Sequence, residues 1–126
     1  MKTSNDDGAK LLKAFLATAA KVERALPAIA DGTGDEHATR KLIDRLYDKS
    51  NNMRAYDAFG PEGVCAGEER LATVGGLLRR WVEARDAGND ARRARRDAEL
   101  TAARRLERER LANMSEYERE LAIMRR

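Results

Sequence analysis

The sequence predicts an all-α protein: a small bundle of four to five helices with a long arginine-rich helix at the C-terminal end. Three observations predict it. Aromatic residues make up only 5% of the 126 residues, so a core must be assembled from Leu, Ala, Val, Ile and Met. Sheets favour β-branched and aromatic side chains, whereas Ala, Leu, Arg and Glu, which dominate here, are good helix formers. Apolar residues also recur at intervals of three and four, the spacing of one helix face, and no segment alternates as a half-buried strand does.

Taken in order, Leu12, Phe15, Leu16, Ala19, Val22 and Leu26 define a first amphipathic helix starting between residues 5 and 9, with Ser4 and Asp7 at capping-box spacing. Pro27 ends or kinks it, or allows one more turn before Asp31, Gly32 and Gly34 make a loop at 31–35. Asp35 or Thr33 caps a second helix carrying Leu42, Ile43, Leu46, Tyr47, Met53 and Tyr56. Ser50, Asn51 and Asn52 compete for backbone hydrogen bonds and are expected to weaken or divide it.

The run FGPEGVCAG at 59–67 holds three glycines and a proline in nine positions and is the clearest expected break. A third helix is expected from about Glu68 to Ala87, with Leu71, Val74, Leu78, Trp81 and Val82 on its apolar face. Gly75 and Gly76 weaken it, Gly88 caps it, and Asn89 or Asp90 starts the next. That boundary divides the chain into a helical core, 1–88, and an arginine-rich extension, 89–126. From Asp90 to Asn113 only Leu100, Leu106 and Leu111 are large and apolar, too few for a broad buried stripe. Ser115 and Glu118 then cap a short last helix bearing Tyr117, Leu121 and Met124.

Charge is unevenly placed. Residues 1–78 hold 11 basic and 12 acidic residues, a net of −1; residues 79–126 hold 14 basic and 10 acidic, a net of +4, and all 14 are arginine. Arginine's planar fork suits carboxylates and phosphates, although GC-rich coding produces the same bias over lysine. The polar N-terminus, the single Cys65 and the lack of a long apolar run point to a cytoplasmic chain that neither needs an oxidising compartment nor enters a membrane.

No pattern of catalytic or metal-ligating residues emerges, and no cofactor is implied. His37, the only histidine, sits in a helical first turn where Asp35 and Glu36 serve the helix dipole. Cys65 has no base nearby in sequence, and the glycines at 60, 63 and 67 lack the Gly-Lys-Ser/Thr ending of a phosphate loop. Trp81, Tyr47, Tyr56 and Phe59 read as packing residues, the last two close enough to the loop to join a partner site.

The sharp feature is the arginine run. Arg85, Arg92, Arg93, Arg95, Arg96, Arg104, Arg105 and Arg108 are the candidate partner-binding residues. Against them stand Asp97, Glu99 and Glu109, at i,i+4 from Arg93, Arg95 and Arg105, which make the helix partly self-compensating. The expectation is a non-enzymatic helical adaptor or inhibitor that occupies a surface on a protein partner, of a size that suits a phage or plasmid accessory protein. Nucleic acid is the alternative partner, and self-assembly as a homodimer through the C-terminal helices the third reading.

Overall fold

The computed structural model describes residues 2–57 and 60–125, and side chains from residue 7 onward. Among them are four α-helices and one short 3-10 turn, with no strand: α1 (Lys2–Ala30), α2 (Glu36–Met53), η1 (Arg54–Tyr56), α3 (Pro61–Ala112) and α4 (Glu116–Met124). The all-α expectation holds. The longest helix, however, is the third of four rather than a C-terminal one, and α4 follows it. The chain divides into two compact units, Met1–Ala91 and Arg92–Arg126.

In the first unit a three–four spacing governs what is buried. Phe15, Ala19, Val22, Leu26 and Ile29 on α1, Thr39, Ile43, Leu46, Ser50 and Met53 on α2, and Arg70, Val74, Leu77, Trp81, Ala84 and Gly88 on α3 form three such seams. A seam repeating every 3.5 residues keeps one face turned toward its neighbours along the whole helix, the geometry of bundles in which ridges of one helix enter grooves of the next. Val22, Ile29 and Leu46 are fully buried. Each such side chain contributes about 1.5–3 kcal/mol relative to exposure.

The turns follow from local chemistry. Pro27 lies within α1, which ends only at Ala30; Gly32 takes φ 81°, the left-handed conformation that stops a helix, and the amides of Thr33 and Gly34 close onto the Ala28 carbonyl at 3.0 and 2.9 Å. Asp35 caps α2, its Oδ1 accepting from the Ala38 amide at 3.0 Å. The Ser50-Asn51-Asn52 run does not divide α2, because Ser50 is buried and both its hydroxyl and its carbonyl accept from the Arg70 guanidinium at 3.4 and 3.5 Å. The expected competition is resolved by a tertiary partner.

Two expected breaks are overturned. Residues 61–67 of the 59–67 run are not a loop: Gly60 takes φ 88° and α3 begins at Pro61, where a missing amide costs nothing. Gly63, Cys65 and Gly67 are therefore helical, and Cys65 is exposed. Nor does α3 stop at Gly88. A Cβ there would collide with the Ile29 carbonyl oxygen and sit 3.4 Å from Gly32 Cα, so this glycine lets α3 touch the end of α1. It is a packing residue inside a helix, not a cap. Likewise α1 starts at Lys2, ahead of the expected 5–9.

Trp81 anchors the core as expected, with its indole N–H donating to the Glu36 carbonyl at 3.0 Å and the guanidinium groups of Arg40 and Arg85 lying 5.4 and 5.1 Å from its ring. Tyr47 and Leu71, expected to pack, are instead 51% and 39% exposed. Phe59 lies outside the described residues. A largely buried ion pair joins Arg70 and Asp57 through two hydrogen bonds of 2.8 and 2.7 Å. These bonds, opposed by burial and aided by the charges of Arg70 and Arg54, hold the Asp57 carboxyl below the usual carboxylate range.

Candidate binding surface

Residues 92–125 differ from the rest of the chain in having no buried residue. The segment is helical because Ala, Arg, Glu and Leu sustain a helix without a core behind it. Three residues then turn the chain. Asn113 and Met114 close the end of α3, and Ser115 caps α4, its hydroxyl accepting from the Glu118 amide at 3.3 Å, as the capping pattern predicts. Arg119 donates to the carbonyls of Leu111 and Ala112 at 2.8 and 3.1 Å, satisfying acceptors that the helix end leaves open. Leu111, Arg119, Ala122 and Ile123 meet around a small cavity, so α4 lies against the Leu111 side of α3.

What is left uncovered is substantial. Leu106 is 64% exposed and Tyr117, Ile123 and Met124 between 67% and 80%. Around them stand the predicted arginines. Arg93, Arg95, Arg96, Arg104, Arg105 and Arg108 are exposed and Arg92 is half-buried. Helix geometry separates them: Arg93, Arg96, Leu100 and Arg104 share one face, whereas Arg95 and Arg105 fall on another. Beside them, Arg110 pairs with Glu107 at 2.9 Å.

Arg85 belongs to the first unit and is used there. Half-buried, it lies over Trp81 and reaches Asp86 at 3.4 Å. His37 is exposed, and among the described residues no three His, Cys, Asp or Glu side chains converge on a metal position. No helix there is long and apolar enough to cross a membrane.

The first unit also carries a feature that motif reading missed. An open groove of about 460 Å³ between α1, η1 and α3 is lined by Leu12, Phe15, Leu16, Met53 and Tyr56, with Arg70 and Asp57 at one side. Arg70 and Asp57 are spent on one another, which makes them a clasp holding Asp57 against α3. The signal was an arginine at a seam position of α3, four residues before Val74. Comparison of the chain with protein-family models, curated proteins and solved structures finds no match.

Proposed function

We propose that this chain is a non-enzymatic helical binding protein, an adaptor or inhibitor that occupies a surface on a protein partner through residues 92–126. One observation carries the reading: among the 34 consecutive described residues 92–125 none is buried, while leucines, a tyrosine, an isoleucine and a methionine lie exposed among arginines. Exposed apolar groups rimmed by charge are the usual composition of a docking face, and arginine is among the residue types enriched there. The face of Arg93, Arg96, Leu100 and Arg104 combines both elements and suits an acidic surface with an apolar centre.

The dense group Arg92, Arg93, Arg95 and Arg96 favours a second reading, nucleic acid, since four arginines in five positions can neutralise phosphates. Retention of host protein on the immobilised full chain, compared with the variant Arg93→Glu, Arg96→Glu, Arg104→Glu, tests the first reading: a bound protein is lost from the variant. A retained set identical for both chains refutes it. Retardation of random-sequence DNA or RNA at low salt that vanishes steeply as salt rises selects nucleic acid instead.

A further inference from the structure

Within residues 92–112 three–four spacing picks out a second face of α3: Arg95, Ala98, Ala102, Arg105, Glu109 and Ala112, flanked by Glu99 and Leu106. Three of its six positions are alanine, small enough for a second backbone to approach closely. Leu111 stands about two and a half turns beyond Ala102, hence on the opposite side, and α4 lies against Leu111. Arg95, Ala98, Glu99, Arg105, Leu106 and Glu109 are all exposed and Ala102 is half-buried.

The charges on this face are arranged about Ala102. Arg95 lies seven residues before it and Glu109 seven after; Glu99 and Arg105 lie three before and three after. We propose that a second copy of the chain lies antiparallel along this face, centred near Ala102. Antiparallel placement sets each Arg95 against the other copy's Glu109 and each Arg105 against its Glu99, with Ala102 meeting Ala102 at the centre and Leu106 covered at the flank. Within one copy Arg95 and Glu99, and Arg105 and Glu109, are already i,i+4 neighbours. In the pair these become two alternating four-charge networks, so no local ion pair has to be given up. Parallel placement in register would instead stack Arg95 on Arg95 and Glu109 on Glu109, and opposed helix dipoles also favour the antiparallel arrangement.

The proposal rests on the reading of 92–126 as a binding surface and names the occupant of one of its faces. The other face, with Arg93, Arg96, Leu100 and Arg104, stays open in such a pair, so the homodimer would present it twice to an outside partner.

Charge reversal tests this on the full chain. Light scattering of the wild-type chain at low salt should give the mass of two chains, falling toward one as salt rises. The variant Arg95→Glu, Arg105→Glu carries only glutamates at the four positions, and Glu99→Arg, Glu109→Arg carries only arginines. Each alone should have the mass of one chain with unchanged helical circular dichroism, and their equimolar mixture should have the mass of two. A wild-type chain that stays at one-chain mass at all protein concentrations, or reversed variants that remain dimeric, overturns the proposal. Neither result touches the partner-retention test of Arg93, Arg96 and Arg104, whose failure would count against the broader reading alone.

Discussion

Three glycines in the middle of α3 separate a helix-propensity effect from a packing effect. At Gly75 and Gly76 a Cβ would meet nothing within 4 Å, so alanine at either site gains helix propensity without a clash. Each should stabilise by about 1 kcal/mol. At Gly88 the same methyl group would run into the backbone carbonyl of Ile29, which cannot swing aside as a side chain tip can. Overpacking of this kind costs about 1–3 kcal/mol, and forced movement of two helix backbones belongs in the upper part of that range. Subtracting the same propensity gain leaves Gly88→Ala destabilised by about 1–2 kcal/mol. For a cooperative unit of this size the melting temperature should fall by roughly 5–15 °C, against a rise of roughly 4–8 °C for Gly75→Ala. Thermal and urea unfolding followed by helical circular dichroism, at one protein concentration, reads both. A Gly88→Ala chain stabilised to the same degree as Gly75→Ala would refute the packing argument and make Gly88 an ordinary weak helix position.

The Asp57–Arg70 clasp makes a mutational and a pH prediction. Asp57→Asn leaves a buried guanidinium without its counter-ion and should cost about 3 kcal/mol in urea unfolding. Because the folded Asp57 carboxyl is held below its unfolded value of 3.8, its stabilisation is complete above that value and fades as pH falls below it. The gap between wild type and Asp57→Asn should therefore be constant near neutral pH and narrow below about pH 4; a gap that widened on acidification would contradict the assignment. Trp81→Phe keeps an aromatic ring but loses the indole N–H donated to the Glu36 carbonyl, and should cost about 1 kcal/mol in the same assay. Asp35→Ala removes the α2 cap at about 1 kcal/mol, while Asp35→Ser, which keeps an acceptor oxygen, should recover most of the loss.

Legibility in the sequence divided along physical lines. Patterns set by near neighbours were readable: the seam from Phe15 to Leu26, the Asp35 cap, the Ser115 cap and the burial of Trp81 all depend on residues within a few turns. Signals whose meaning depends on a distant contact misled. Gly88 followed by Asn89 and Asp90 looks like a helix stop, but the deciding atom is the Ile29 carbonyl oxygen, 59 positions away in sequence. Ser50 looks like a competitor of its own helix until Arg70 reaches it. The arginine run and the helix carrying it were both readable, so its division into faces follows from helix geometry within 90–113, whereas the joining of that helix to the one before it does not.

That continuity has its own cause. Starting a helix is the costly step, since several residues must be fixed before the first hydrogen bond forms, whereas each further residue adds one bond. The stretch from 61 to 88 is held helical by Arg70, Val74, Leu77, Trp81, Ala84 and Gly88 packed at three–four spacing, so residues 89–112 join a helix already nucleated. Stopping at Gly88 would require a new nucleus in a stretch that buries nothing after Arg92, with only three leucines to stabilise it. One unfavourable glycine, at about 1 kcal/mol, is the smaller cost. The same economy explains how residues 92–112 stay helical without a core of their own: their helical conformation is propagated from the packed stretch before Gly88.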